Sequence, residues 1–236
     1  MSLKSRWDAT VADVAACCEK AGRKPEDVRI IAVSKTVGAD VVAQAIECGM
    51  HDFGENRTIP FNEKYALYPE ESWHLIGQLQ SRKAKDVVGK ATLIHSLDRT
   101  SLLEAIQKSA EKLDVVQDVL VEVSISGEES KGGIRPEELP AFLEAIDACN
   151  NVRCQGLMTM APQGDMDIAR RTFEGLRKLA QRCAAQYATR DSIAMKELSM
   201  GMSEDYAVAI EQGATMVRVG RRIFSDEFEA ALKQNA

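Results

Sequence analysis

The sequence predicts a single (β/α)₈ TIM barrel preceded by an extra helix, on three observations. The chain has 236 residues, close to the roughly 250 of a typical barrel and too few for a barrel with a substantial second domain. Hydrophobic residues make up 45% of it and charged residues 28%, which suits a large core under a polar surface. Short apolar runs recur, each followed by a helix-length segment, as in βα units on a parallel sheet.

Eight of these runs are predicted strands, and eight is the number that closes a barrel. They span 28–34, 51–54, 73–77, 93–97, 118–124, 153–160, 196–200 and 216–220. A doubly wound open sheet is the competing architecture. It ranks lower because no G-x-G-x-x-G segment follows the first strand.

The helices are predicted from the amphipathic segments that separate these strands. They span 40–49, 81–89, 101–112, 136–149, 168–187 and 203–212, and several end in glycine, where a helix C-cap is expected. An extra helix over about 4–21 precedes the first strand, and about 225–236 is predicted to be a closing helix. The domain prediction is one barrel over 1–236.

Charge and cysteine content narrow the class of partner. Lys and Arg number 30 against 36 Asp and Glu, a net charge of −6, so the basic surface of a nucleic-acid binder is not expected. The six cysteines show neither disulfide-framework nor zinc-site spacing and indicate reduced thiols of a cytoplasmic protein. No signal peptide or membrane-spanning run is recognised. We therefore expect a small-molecule ligand, with no metal, no membrane and no nucleic acid.

Lys35 directly follows the apolar run IIAVS of the first predicted strand. A barrel presents the residues after its strands at the carboxyl-terminal mouth, where active sites of this fold lie. That position can remove an amine from water, and a neutral amine forms a Schiff base with a carbonyl compound. The alternative is an ordinary lysine whose charged end stays in solvent.

A second group of residues follows the seventh and eighth predicted strands, whose loops often hold phosphate in this fold. It combines glycines, hydroxyls and cations, namely Gly201, Gly220, Ser199, Ser203, Arg221 and Arg222. The alternative is that Ser203 caps a helix and the glycines only turn the chain. An amine beside a phosphate site implies a phosphorylated carbonyl compound, either a sugar phosphate or pyridoxal 5′-phosphate (PLP).

Arg218 bears on that choice. Strand alternation places it on the opposite face from Val217 and Val219, where a guanidinium inside a barrel needs a partner. Beside a pyridine nitrogen it would disfavour protonation of the ring and weaken the cofactor as an electron sink. The alternative is an outward arginine paired with a helix carboxylate.

Other polar residues lie near the ends of predicted strands. Glu55 and Asn56 come after the second strand, where either can face the mouth or begin a helix. The spacing of His51, His74 and His95 supports neither a metal cluster nor a Ser-His-Asp arrangement. We expect these histidines to be core or rim residues.

Seven groups of residues, in order through nearly the whole chain, match a known family. They are AVSKT at 32–36, FGEN at 53–56, WHLIG with LQS within 73–81, HSLDR at 95–99, GLMTM at 156–160, LSMGMS at 198–203, and VRVG with IF within 217–224. Together they resemble the pyridoxal phosphate homeostasis protein family, single-domain relatives of the alanine racemase barrel domain.

This resemblance implies an alanine racemase N-terminal domain-like barrel that holds PLP as an aldimine on Lys35. It places Arg218 near the pyridine nitrogen and Asn56 in the pocket. The implied phosphate residues are Ser199, Gly201, Gly220 and Arg221. Arg221 replaces a threonine usual in the family, so two orientations stay open for its side chain, over the phosphate or away from it.

The implied function is intracellular PLP, or vitamin B6, homeostasis without catalytic turnover, with apo PLP enzymes as candidate recipients of the cofactor. Because the second domain of the racemase dimer is missing, we expect a monomer. A PLP-dependent amino-acid racemase is the alternative. Racemisation normally uses two bases, one on each face of the substrate. Here the chain ends soon after the eighth predicted strand, which leaves no room for the domain that supplies the second base in racemases.

Overall fold

The computed structural model describes residues 1–127 and 132–225, and within them eight parallel strands close into a barrel. Neighbours follow chain order, and the last strand pairs with the first. The strands are β1 (Arg29–Val33), β2 (Asp52–Glu55), β3 (Ser72–Leu75), β4 (Leu93–Leu97), β5 (Gln117–Glu122), β6 (Val152–Met158), β7 (Ile193–Met202) and β8 (Met216–Val219). The predicted (β/α)₈ barrel is confirmed.

Helices follow the strands on the outside of the barrel. Within the described ranges the α-helices are α1 (Leu3–Lys20), α2 (Ala39–Glu47), α3 (Thr58–Leu67), α4 (Thr100–Leu113), α5 (Leu139–Asp147), α6 (Met166–Gln186), α7 (Tyr206–Glu211) and α8 (Arg221–Phe224). Short 3₁₀ helices span Pro25–Asp27, Ser81–Asp86 and Pro136–Glu138. The extra helix predicted over about 4–21 is α1. The closing helix predicted over about 225–236 lies, beyond Ser225, outside the described residues.

Three differences from the predicted helices have local causes. Helix α3 was not among the predicted helices. Pro60 lies in its first turn, where a missing N–H breaks no intrahelical bond, so the helix forms. The segment predicted as a helix at 81–89 is a shorter 3₁₀ helix, whose three-residue period places the buried Ala84 and Val87 on one face. Strand β7 continues to Met202 and α7 begins only at Tyr206, so the alternative in which Ser203 caps that helix is wrong.

The barrel interior has an apolar layer beneath a polar one. The apolar layer takes one residue from each of five strands, namely Ile31, Leu93, Leu120, Met158 and Met216. Strand alternation brings the residue two positions further on to the same face. His95 and Arg218 therefore lie inside the barrel, one layer closer to the carboxyl-terminal mouth, and both are buried.

Helix α1 packs against the last two helices of the described chain. The Arg6 side chain donates to the Ile223 carbonyl oxygen at 2.7 Å, and the Tyr206 hydroxyl donates to the Asp13 carboxylate. Arg222 pairs with the same carboxylate at 3.3 Å. These contacts join the N-terminal helix to the segment that follows β8.

All six cysteines lie in the described part of the chain, and none forms a disulfide. This confirms the prediction of free thiols. No helix within residues 1–127 or 132–225 is both long and apolar enough to cross a membrane.

Candidate functional site

A cavity of about 350 Å³ opens at the carboxyl-terminal mouth of the barrel. Its described lining is Val33, Lys35, Asn56, Ile76, Met160, Gln163, Met202, Ser203, Arg218, Gly220 and Arg221. Six residues singled out from the sequence thus line one cavity, namely Lys35, Asn56, Ser203, Arg218, Gly220 and Arg221. Ser199 and Gly201 are not among the lining residues.

The end of β1 presents Lys35 to the cavity and is held from beneath by a buried ion pair. The Lys64 ammonium lies 2.5 Å from the Glu55 carboxylate and donates to the Ser34 carbonyl oxygen at 2.8 Å. The Ser34 hydroxyl donates to the same carboxylate oxygen at 2.7 Å. Lys35 itself is exposed and makes no hydrogen bond or ion pair with the rest of the described chain. Its amine is therefore available to a ligand.

Asn56 reaches the cavity because its backbone runs against Gly77. A Cβ atom on Gly77 would lie 2.3 Å from the Asn56 carbonyl oxygen, closer than any real contact. Of the two residues after the second predicted strand, Asn56 faces the cavity, whereas Glu55 lies in β2 and is buried with Lys64.

Arg218 is an inward arginine, so the alternative of an outward side chain is wrong. It is 5% exposed, and its guanidinium donates to the Ser199 hydroxyl oxygen at 2.6 Å and to the Thr159 carbonyl oxygen at 3.1 Å. Burial lowers the pKa of Arg218 to about 10, although Glu122 and Asp205 oppose the shift. At neutral pH the cavity wall therefore carries a buried positive charge.

The two glycines predicted at the phosphate site have different local roles. Gly201 has φ of +91°, and a Cβ there would lie 2.6 Å from the Ala209 Cβ atom, so this glycine lets β7 approach α7. Gly220 lines the cavity, where a Cβ would come within 3.2 Å of Val33.

Arg221 also lines the cavity and forms an ion pair at its edge. Its guanidinium lies 2.8 Å from the Glu204 carboxylate, and both side chains are about half exposed. Both residues also line a smaller neighbouring cleft. Arg221 thus lies beside the cavity, with its guanidinium paired to the Glu204 carboxylate.

Several lining residues were not singled out from the sequence: Val33, Ile76, Met160, Gln163 and Met202. Four of them lie within two residues of the carboxyl end of a strand, and Gln163 lies in the loop between β6 and α6. That position is visible in the sequence once the strands are assigned, but the side chains carry no chemistry that distinguishes them. The cavity therefore joins an amine, two guanidiniums, two amides and a hydroxyl to an apolar wall, a set suited to a phosphorylated carbonyl compound.

Glu122 is a buried carboxyl at the end of β5, and it makes stability depend on pH. Burial, and secondly the charge of Asp98, raise the pKa of Glu122 from 4.5 to about 7, while Arg218 opposes the shift. The folded protein therefore keeps this proton to a higher pH than the unfolded chain does. The stabilisation is complete below about pH 4.5 and is lost as the pH rises towards 7.

Because of Glu122, we expect the free energy of unfolding to fall by roughly 3 kcal/mol over that pH range, at about 1.4 kcal/mol per pH unit. Urea unfolding of the wild type and of Glu122→Gln, at about pH 5 and about pH 8, measures it. The variant should lose less stability than the wild type on going to the higher pH. An equal loss in both proteins would contradict the prediction.

Comparisons with known proteins agree over nearly the whole chain. The family model of the alanine racemase N-terminal domain matches residues 8–227. The pyridoxal phosphate homeostasis protein of Aquifex aeolicus is 41% identical over 230 residues, which cover 96% of this chain and 99% of that protein. Its namesake from Escherichia coli is 35% identical over 219 residues, covering 89% of this chain and 91% of that protein.

Solved structures also match this chain over most of its length. PipY of Synechococcus elongatus, solved with PLP bound, has a TM-score of 0.81 at 31% identity and covers 95% of this chain and 100% of its own. Alanine racemase of Clostridium difficile has a TM-score of 0.69 at 16% identity over 89% of this chain and 57% of its own, and this likeness shows the fold alone. Since relatives above 30% identity cover nearly all of both chains, this chain belongs to the pyridoxal phosphate homeostasis protein family.

Proposed function

We propose that this chain binds PLP in the cavity at the barrel mouth and takes part in intracellular vitamin B6 homeostasis. One observation carries the proposal: the Lys35 amine, the Arg218 guanidinium and the Gly220–Arg221 backbone line a single cavity of about 350 Å³. That volume suits one small cofactor. The relative PipY, whose structure was solved with PLP bound, supports it.

The residues present fit this cofactor. PLP supplies an aldehyde, with which the Lys35 amine forms a Schiff base by losing one molecule of water. Arg218 offers a charged donor for the ring nitrogen, and Asn56 an amide for the rest of the ring. Gly220 and Arg221 offer backbone and guanidinium donors for the phosphate. We also assign the hydroxyl of Ser203, which lines the cavity, to the binding of the phosphate.

We propose that the remaining two predicted residues act without touching the cofactor. Ser199 is fully buried and reaches the cavity only through its hydrogen bond to Arg218. Gly201 shapes the backbone between β7 and α7.

We also propose that the protein holds PLP without catalytic turnover. Racemisation needs a base on each face of the substrate. Among the described residues that line the cavity, Lys35 is the only amine, carboxyl, imidazole or phenol. Incubation of the PLP-loaded protein with single amino acids in deuterated water tests this. Exchange of the α-proton at about 1 s⁻¹ or faster would establish an enzyme instead.

Titration of the purified chain with PLP tests the binding itself. We expect one equivalent to develop an absorbance band distinct from that of free PLP, and borohydride reduction to fix the cofactor on Lys35. A protein that develops no new band and retains no PLP would refute the proposed function.

The Arg221–Glu204 pair predicts how affinity can be raised. Glu204→Gln removes a carboxylate that competes with the phosphate for the Arg221 guanidinium. Because exposed ion pairs contribute up to about 1 kcal/mol, we expect PLP to bind about two- to fivefold more tightly. Pyridoxal, which lacks the phosphate, should bind as it does to the wild type.

The matched control is Glu211→Gln, which removes a carboxylate of similar exposure from its pair with Arg170. It should leave both affinities unchanged. Equal gains for PLP and pyridoxal in Glu204→Gln would show that Arg221 does not serve the phosphate.

Further aspects of the function are proposals of the same kind. We propose one barrel domain over 1–236, a monomer in the cytoplasm, and apo PLP enzymes as recipients of the cofactor. Sedimentation of the loaded protein tests the monomer. Mixing it with an apo PLP enzyme tests transfer, since activity should recover with the loaded protein and not with the apo form.

A further inference from the structure

A continuous chain of hydrogen bonds crosses the barrel interior beneath the cavity. It begins at Arg218, whose guanidinium lies 2.6 Å from the Ser199 hydroxyl oxygen, and that oxygen lies 2.9 Å from His95 Nδ1. His95 Nε2 lies 3.0 Å from His74 Nδ1, and His74 Nε2 lies 3.2 Å from the Asp52 carboxylate. The chain thus joins the cavity wall to the start of β2, at the opposite end of the strands.

The two ends of this chain restrict the direction of the hydrogen bonds in it. A guanidinium can only donate, and a carboxylate can only accept. Burial, and then the charges of His74 and Arg218, lower the pKa of His95 well below 6.5, so its imidazole is neutral. His74 is also wholly buried.

In the state in which each imidazole carries one proton, the tautomers follow from the carboxylate end. His74 Nε2–H donates to Asp52, which makes His74 Nδ1 an acceptor. His95 must then donate from Nε2 and accept at Nδ1. The Ser199 hydroxyl therefore donates to His95 and accepts from Arg218. Every hydrogen bond points the same way, from Arg218 to Asp52.

This polarity has two consequences at the cavity. The single proton of Ser199 is directed to His95, so its hydroxyl has none to offer a ligand. The Arg218 guanidinium is held at one nitrogen by Ser199 and at another by the Thr159 carbonyl oxygen. Two fixed donors set the plane of the group, and with it the direction of the donors left for the ligand.

We propose that Asp52, His74 and His95 are positioning residues of the cofactor site, which act through Ser199 to orient the Arg218 guanidinium towards the ring nitrogen of PLP. The inference rests on the proposed function. Apolar side chains in place of this polar chain would make the fold equally or more stable, because buried polar groups add specificity more than stability. Apolar side chains fill neighbouring positions of the barrel interior, so a polar chain is not needed to fill the barrel.

The test compares PLP with its analogue in which a carbon atom replaces the ring nitrogen. Both compounds keep the aldehyde and the phosphate, so only the contribution of Arg218 to the ring nitrogen differs. In His95→Leu we expect PLP affinity to fall about tenfold or more, as for a lost hydrogen bond to a charged group. Affinity for the carbon analogue should stay within about twofold of the wild type.

His95→Gln is the conservative variant, since its amide can accept from Ser199 and donate to His74. It should restore PLP affinity to within about threefold of the wild type. His51→Leu is the control, because His51 is an exposed histidine paired with Glu71 outside the chain. It should change neither affinity.

Equal weakening of PLP and of the analogue in His95→Leu would overturn the inference, since it would show a merely structural role. Unchanged PLP affinity would overturn it as well. If His95→Leu does not fold, Ser199→Ala breaks the same chain of hydrogen bonds by removing one oxygen atom. Equal weakening of both compounds, or unchanged PLP affinity, in that variant would likewise overturn the inference. A wild-type protein that binds neither compound would refute the proposed function instead, so the two failures are distinguishable.

Discussion

Replacement of Lys35 by alanine is expected to abolish covalent retention of PLP. Lys35 is the one amine in the described lining of the cavity, and an arginine or amide cannot replace it in forming a Schiff base. After incubation with PLP and borohydride, intact-protein mass spectrometry should show one added cofactor on the wild type and none on Lys35→Ala. Residual binding should be weaker by about a hundredfold or more.

Lys83→Ala is the matched control. Lys83 lines a neighbouring cavity of about 380 Å³ that shares Asn56 with the first, so the substitution removes a similar charge from the same side of the mouth. It should leave the adduct intact. A wild-type yield of adduct in Lys35→Ala would show that another residue holds the cofactor.

Replacement of Lys64 by methionine is expected to destabilise the fold by about 3–5 kcal/mol. The Lys64 ammonium pairs with the Glu55 carboxylate, and the two side chains are 6% and 1% exposed. Glu55 Oε2 already has no hydrogen-bond partner in the described chain. Without Lys64 the carboxylate would remain buried and uncompensated, and the end of β1 would lose the donor to the Ser34 carbonyl oxygen. Urea unfolding measures the loss.

Two further variants separate charge from packing. Lys178→Met breaks an exposed pair with Glu174 and should cost no more than about 1 kcal/mol. The double variant Lys64→Met with Glu55→Leu should recover much of the stability, because no unpaired charge remains. If Lys64→Met costs as little as Lys178→Met, the pair does not support the end of β1.

Most of the fold could be predicted from local patterns, and the exceptions were elements whose signals conflict. The eight strands were found because their apolar runs are short and regularly spaced. Helix α3 was not among the predicted helices, and it contains Pro60 in its first turn, where a helix tolerates proline. Ser203, followed by two acidic residues, has the pattern of a helix start, yet β7 runs up to it and Asp205 precedes α7 instead.

The candidate site was predictable to a similar degree. Lys35, Asn56, Gly220 and Arg221 follow strand ends directly, and such residues reach the mouth of any barrel. Ser199 also lies near a strand end, but it is inside β7 and faces the interior. Proximity to a strand end does not distinguish a residue that touches a ligand from one that supports its neighbour.

The sequence by itself determined the barrel and the amine at the end of its first strand, because strand length, period and order are local properties of the chain. Only the tertiary structure decided which polar groups meet. His95 and Ser199 are 104 positions apart in the chain and yet share a hydrogen bond. Arg218 faces inward, where the Ser199 hydroxyl oxygen and the Thr159 carbonyl oxygen accept its hydrogen bonds. Such contacts depend on how the barrel closes and on the direction of each side chain, and neither can be predicted from one segment of the sequence.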